Sequence, residues 1–322
     1  EDKITPDGYR LDPYFKPDFG PDLLCSHNLV SHLGVYRTKL LQKVGGFRED
    51  FVGSQDWDLV LRCLDFIPVH EIRHIPRILY HWRRSSNSTS ASVGNKGYAV
   101  TSGHRALQEY LDKHEPTGTV EKGPTTGSFR VRYSTPNDPM ASIIILSKNN
   151  AKLLQTCVGS IIEKTSYSNY EVIIIDNGST EEDALTLLDS LNKKKRIRVL
   201  ANSIPFNFST LNNWASERAE GEVLLFLNND MEVIEEDWLR ELVSHAMRQN
   251  VGPVGTKLLY PDDYIQHAGM IMGIAGIAGH AFKFLHRQNP GHIGRVGIIQ
   301  NYSAVTAACM AIRKSVLKEL GG

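Results

Sequence analysis

EVLLFLNND, residues 222–230, runs from five consecutive apolar residues, Val223 to Leu227, straight into two amides and a carboxylate, Asn228, Asn229 and Asp230. An apolar run without polar alternation marks a strand covered on both faces. The same form recurs upstream as SIIIL (142–146), EVIIID (171–176) and RIRVLA (196–201). Between these runs lie stretches of helical period, Leu153 to Lys164, Glu181 to Leu191 and Ser209 to Ala219. Strands alternating with amphipathic helices predict an α/β fold with a parallel sheet between helical layers.

A chain of 322 residues has a length prior of about two domains. Residues 141–322 carry the α/β pattern, whereas residues 1–114 read as shorter, irregular elements. Between them, residues 115–140 contain Pro116, Gly118, Gly123, Pro124, Gly127, Pro136 and Pro139 and read as a linker or small hairpin (SFRVRY) rather than core. An internal repeat crosses this division. LVSHLGVYRTKLLQKVGG (29–46) and VTAACMAIRKSVLKELGG (305–322) align without a gap, matching Arg37 with Arg313, Leu41 with Leu317, and both terminal glycine pairs. Each copy predicts a strand, a basic turn and a helix closed by glycine. Residue 1 is not Met and the sequence stops at the repeat's glycine pair, so the expectation is a piece of a longer protein holding two incomplete copies of one domain type.

Lys+Arg and Asp+Glu number 36 each, so no global field draws the chain to nucleic acid or to an anionic membrane. Cys25, Cys63, Cys157 and Cys309 never form C-x-x-C, which argues against a zinc ribbon or disulfide scaffold and for a reducing compartment. The expected location is cytoplasmic, with peripheral contact at the inner face of the cell membrane left open. The longest apolar run, around Gly269 to Ala278, is too short to span a bilayer. The N-x-S/T triplets at Asn87, Asn207 and Asn301 carry no weight in a cytoplasmic chain.

In an open parallel sheet, ligands sit at the carboxyl ends of the strands. Two strand ends here carry carboxylates, Asp176 followed by Asn177-Gly178-Ser179-Thr180, and Asp230 behind Asn228-Asn229. One carboxylate can accept from a base or ribose, and the other can hold a hard divalent cation that bridges a diphosphate. The structural alternative is that both start turns or cap helices, Asp176 through an Asx turn. A second pattern, His70-Glu71-Ile72-Arg73-His74, matches the H-E-x-x-H zinc motif, but Pro68 and Pro76 bracket it. That motif needs a helix, and on an extended chain the two histidines stand ~13 Å apart, too far for one zinc. There is no G-x-G-x-x-G after the first strand and no Walker loop, which disfavours dinucleotide and P-loop enzymes.

SIIILSKNN, VIIIDNGST, the Asn212-Asn213 pair and GEVLLFLNND, in this order, resemble the nucleotide-sugar half of family 2 glycosyltransferases with the GT-A fold. DPYFKPDF, HLGVYRTKLL, GGFREDFVGSQDWDLVLR and HIPRILYHWR resemble the acceptor-side half of the same family, in tandem proteins that build bacterial surface polysaccharide. The resemblance implies an inverting, metal-assisted transfer of a hexosyl group from a nucleoside diphosphate sugar to a glycan or lipid-linked glycan acceptor. It places the divalent metal, Mn2+ or Mg2+, on Asp230, with Asn228 standing where the family has the first Asp of Asp-x-Asp. It assigns Asp176 to the base, and Ser147, Asn149, Asn177, Asn212 and Asn213 to the rest of the nucleotide pocket. Leu146 stands where the family often has proline. For the catalytic base it points to Asp56, at the start of a helix beginning Ser54-Gln55-Asp56-Trp57-Asp58; the structural alternative is that Asp56 and Asp58 are first-turn acids favoured by the helix dipole. His81, in LYHWR, aligns near the metal and diphosphate, although a strand histidine is commonly a packing residue. Two other readings stay open: a sugar-nucleotide pyrophosphorylase, which should carry a glycine-rich basic loop where SKNNAKLL stands, and a non-catalytic nucleotide-sugar or glycan-binding scaffold, which Asn228 would suit.

Overall fold

The computed structural model describes residues 1–84 and 97–322. Asn87 lies outside them. The chain forms two compact units, Glu1–Arg132 with Leu285–Asn301, and Tyr133–Phe284 with Tyr302–Gly322.

The second unit is built on a six-stranded sheet. In chain order its strands are β1 (Ala141–Ser147), β2 (Tyr170–Asp176), β3 (Ile197–Ala201), β4 (Val223–Asn228), β5 (Val254–Gly255) and β6 (Cys309–Arg313). They lie in the order β5-β6-β4-β1-β2-β3. β1 to β4 are mutually parallel, as their apolar runs predict, and β6 is antiparallel to both β4 and β5. The helices are α1 (Ala151–Lys164), α2 (Glu182–Asn192), α3 (Phe208–Arg218), α4 (Trp238–Ala246) and α5 (Lys314–Glu319). One sheet face, with Ile143, Ile145, Val172, Ile174 and Leu225, packs on Leu154, Val158 and Ile161 of α1 and on Leu239 and Val243 of α4. The opposite face, with Ile144, Ile173, Ile175 and Phe226, packs on Leu211 and Ala215 of α3. Successive residues of each strand thus enter opposite cores, which is why the runs do not alternate.

The amino end of the sheet is fixed by a buried polar cluster. Ser142 Oγ donates to Glu171 Oε1 at 2.6 Å and accepts from Gly221 N at 2.9 Å, while Arg198 Nη2 lies 3.0 Å from Glu171 Oε2. A Cβ on Gly221 would stand 2.7 Å from both Met140 O and Ser142 N, which are backbone atoms that cannot swing away. Gly221→Ala is therefore expected to cost about 1–3 kcal/mol of stability. Urea denaturation monitored by circular dichroism measures it; an unchanged midpoint would mean that the strand start yields without strain.

The first unit packs the Gln55–Cys63 and Gly97–His114 helices through Trp57, Leu59, Leu61, Leu107 and Leu111, all at most 3 % exposed. The segment read as a linker or small hairpin forms the hairpin, and part of it is buried. Gly118–Lys122 and Phe129–Tyr133 pair as a hairpin, and Phe129 is 1 % exposed, its ring 5.5 Å from Trp57 and 5.9 Å from His104. Alternate apolar residues Phe129, Val131 and Tyr133 made this legible, but the surrounding prolines and glycines outweighed them.

The repeat is visible in the backbone. Arg37 and Arg313 both precede their helices with φ −62, at ψ 130 and 136, and Gly45 and Gly321 both close them in the left-handed region at φ 86 and 84. The expected strand forms only in the second copy. β6 has β4 and β5 beside it, whereas no strand of the described residues lies beside residues 29–36, which run without regular structure. The H-E-x-x-H segment is a single 3-10 turn, Val69–Glu71, followed by chain without regular structure. Glu71 pairs with Arg37 at 2.8 Å and His74 with Asp18 at 2.9 Å, so its polar groups serve separate contacts.

Candidate functional site

The carboxyl edge of the second unit's sheet brings the predicted strand-end residues level. Ser147 stands opposite Asp176, Leu146 opposite Asn228, and Asp176 opposite Ala201. Ser147 Oγ is buried and has no hydrogen-bond partner among the described residues. Asp176 Oδ1 accepts from Ser179 N at 2.9 Å, the Asx turn that D-N-G-S favours. Asn149 stitches the first two strand ends together: its N donates to Ser179 Oγ at 2.8 Å, and its Oδ1 accepts from Thr180 N and Glu181 N at 2.8 and 3.2 Å. It does so from the left-handed region, φ 55, which asparagine tolerates better than most residues.

The tip after β4 is positioned by one face of α1. Cys157 Sγ lies 3.7 Å from Asn228 O, Ser160 Oγ accepts from Val233 N at 3.0 Å, and Lys164 Nζ donates to Val233 O at 2.7 Å. On the other side Asn228 N donates to Ala308 O at 3.0 Å. Within this frame Asp230 is exposed, and no side chain of the described residues pairs with its carboxylate. Burial, with the Asp230 charge adding to it, pushes the Cys157 thiol up to about 12, so the sulfur stays neutral and brings no charge to the tip. No cluster of three or more His, Cys, Asp or Glu among the described residues could cage a metal. A single carboxylate flanked by amides suits a cation that draws its remaining ligands from water and a diphosphate.

Other predicted residues are placed differently. Asn177 is 5 % exposed, and its Nδ2 donates to Asn202 O and Ile204 O at 2.8 Å each, bracing the loop after β3. Asn212 is 4 % exposed with Nδ2 on Phe208 O at 2.9 Å, while Asn213, one residue on, is exposed. In the first unit, Asp56 and Asp58 part company. Asp58 is 1 % exposed and bound by Arg48 and Arg62. Asp56 is half-buried, and its Oδ2 accepts from Asn28 Nδ2 at 2.9 Å. Asn28 Oδ1 in turn accepts from Ser31 N at 3.2 Å, which fixes that amide's orientation. Nearby His32 is held above the usual histidine range, first by its hydrogen bond to Glu1, with the Asp56 charge a smaller contribution. His81 faces Asp2, which also pairs with Arg10.

One pair escaped the sequence reading because its members are 13 residues apart. His267, 1 % exposed, sets its Nδ1 2.8 Å from His280 Nδ1. His267 Nε2 accepts from Gly269 N and Thr306 N at 3.2 and 3.4 Å, so its proton sits on Nδ1 and is donated to His280. Burial, then the charge of His280, hold His267 down to about 4.

The description "Glycosyl transferase family 2" matches residues 142–321, more than half of the chain. The chain belongs to glycosyltransferase family 2. Among curated relatives, an uncharacterized protein y4gI of Sinorhizobium fredii is 43 % identical over 326 residues, covering 100 % of this chain and 36 % of the relative. The O-antigen biosynthesis protein RfbC of Myxococcus xanthus is 40 % identical over 326 residues, covering 100 % of this chain and 25 % of the relative. This family 2 chain thus spans about a third or less of the length of either. A solved mannosyltransferase, PcManGT of Pyrobaculum calidifontis in complex with GDP-Man and Mn2+, aligns with 70 % of this chain and 57 % of its own at 15 % identity and a TM-score of 0.41.

Proposed function

We propose that the carboxyl edge of β1, β2 and β4 binds a nucleoside diphosphate sugar, and that the protein to which these residues belong transfers its hexosyl group, with inversion, to a glycan or lipid-linked glycan during surface polysaccharide synthesis at the inner face of the cell membrane. The observation that carries the reading is the gathering of Ser147 and Asp176, opposite each other, with Asn228 one register position away, and Asp230 beyond them without a partner among the described residues. Asp176 keeps its second oxygen for the base or ribose while the first holds the turn. The orphan Ser147 hydroxyl supplies a hydrogen bond to the same ligand. Asp230 would hold a divalent cation, with Asn228 and Asn229 beside it; such a cation neutralises charge developing on the leaving diphosphate. With Asn228 in place of a carboxylate, metal affinity depends on the donor's own phosphates. In the first transferase domain, Asp56 would take the proton from the acceptor hydroxyl as that oxygen attacks the anomeric carbon of that domain's own donor and the bond to the diphosphate breaks. The repeat supports assigning residues 1–114 to the acceptor-side part of a first transferase domain and residues 141–322 to the donor-side part of a second.

Thermal-shift measurements with UDP-, GDP- and dTDP-sugars, with and without Mn2+, test this. A bound donor at 100 times its dissociation constant adds about 2.7 kcal/mol of apparent stability. Asp176→Ala is expected to weaken binding with or without metal, and Asp230→Ala to remove only the metal-dependent increment. Equal metal dependence in the native chain and Asp230→Ala would sink the ligand assignment, and no stabilisation by any donor would sink the function.

A further inference from the structure

The loop after β3, residues 202–207, is held at Asn202, Ile204 and Asn207 and yet leaves Ile204 and Phe206 exposed. Asn202 N donates to Asp176 O at 2.9 Å, and the buried Asn177 amide clamps the carbonyls of Asn202 and Ile204. Gly178, beside Ser203, takes φ +79, a left-handed backbone that glycine adopts without strain. At the far end Asn207 Oδ1 accepts from Thr210 N at 2.9 Å and caps α3. Within this fixed frame Phe206 is 68 % exposed, with Ile204 and Phe208 at 38 and 39 %. An aromatic ring on a braced loop presents a flat apolar face at little entropic cost, which is what a stacking platform requires.

Its place in the sheet says what would stack there. The order β4-β1-β2-β3 puts this loop at one end of the carboxyl edge and the Asn228–Asp230 tip at the other, three strand spacings or about 14 Å away. Asp176 lies between them on β2, the strand next to β3, and its backbone carbonyl anchors the loop at Asn202. A nucleoside diphosphate laid along the edge with its phosphates at Asp230 brings its base to this loop.

We infer that Phe206 is a stacking platform for the nucleobase of the donor, with Asp176 engaging the polar edge of the same nucleoside. This rests on the proposed donor site and adds to it a residue that fixes the base end. Stacking tolerates any base, so Phe206 contributes affinity and Asp176 selects.

Calorimetric titration of UDP, GDP, dTDP and inorganic diphosphate, all with Mn2+, into the native chain, Phe206→Ala and Phe206→Tyr tests it. Phe206→Ala is expected to weaken whichever nucleoside diphosphate the native chain binds by about tenfold, to leave inorganic diphosphate unchanged, and to be rescued by Phe206→Tyr. Because the ring is exposed, the melting temperature without ligand should not move. Unchanged nucleoside diphosphate affinity in Phe206→Ala overturns the inference while leaving the donor site standing, and so does an equal loss for inorganic diphosphate. Loss of binding to anionic phospholipid vesicles with nucleotide affinity intact would make the loop a membrane contact and overturn it too. If the native chain binds no nucleoside diphosphate, the proposed function fails and this inference with it.

Discussion

Asp58→Ala is expected to destabilise the first unit by about 2–4 kcal/mol. Its carboxylate, 1 % exposed, accepts from Arg48 Nε at 3.1 and 3.3 Å and from Arg62 Nε and Nη2 at 3.0 and 2.7 Å, with a further close contact to Arg48 Nη2. Arg62 also donates to Val44 O and Gly46 O at 2.8 and 2.7 Å, closing the carbonyl end of the Thr38–Val44 helix. Removing the carboxylate leaves two guanidiniums facing each other across a cavity and loosens that closure. Arg48 and Arg62 are 38 and 20 % exposed, so water recovers part of the loss, which sets the range below that of a fully buried pair. Trp57 precedes Asp58 in the same helix, is 3 % exposed and donates to Leu24 O at 3.1 Å, so tryptophan fluorescence reports on this unit once Trp214 and Trp238 of the second unit are replaced by Phe. Urea titration should show the Trp57 transition at lower denaturant in Asp58→Ala. An unmoved transition would mean that the arginines rehydrate without cost.

The same residue shows where sequence reading stops. Asp56 and Asp58 are two positions apart in one helical start, and both satisfy the first-turn preference for acids. What separates them is Arg48, ten residues away in sequence, and the burial of the helix face that Asp58 shares with Arg62; neither follows from local pattern. The parallel strands, by contrast, were legible to within about a residue, because double burial writes itself into every position of an apolar run. β6 was legible as a strand but not in its direction, since β4 offers the same backbone groups to either sense. The strand expected in residues 29–36 shows the converse limit: propensity makes no strand without a neighbour to pair with.

For the site, chemistry-bearing residue types at strand ends were found from the pattern, but their division of labour was not. Asp176 makes the Asx turn with one oxygen and leaves the other without a partner among the described residues. Asn177 follows it in sequence, yet its Nδ2 donates both protons to backbone carbonyls, of Asn202 and Ile204. Nothing in the local pattern singles out Phe206; only its exposure, 68 %, sets it apart.

Asp56→Asn is expected to reduce the sugar transfer carried out by the first transferase domain about 10²- to 10⁴-fold, measured in a chain of the length of its relatives with the donor that this domain uses. The change preserves shape, and Asn28 Nδ2 can still donate to the new amide oxygen, so the helix start should hold. What is lost is the group that accepts the acceptor's proton. The donor residues Asp176 and Asp230 are untouched, so nucleotide-sugar affinity in residues 141–322 should stay within about twofold of native, well under the tenfold that 1.4 kcal/mol represents. A purely structural Asp56 would instead lower the Trp57 unfolding transition and leave the residual folded enzyme active, and the two measurements together separate these roles. For residues 1–322 the expectation is donor binding without efficient transfer, because the repeat assigns Asp56 to one transferase domain and the donor residues to another. Transfer by this chain that disappears in Asp56→Asn would overturn that expectation, because Asp56 would then serve the donor site that this chain contains.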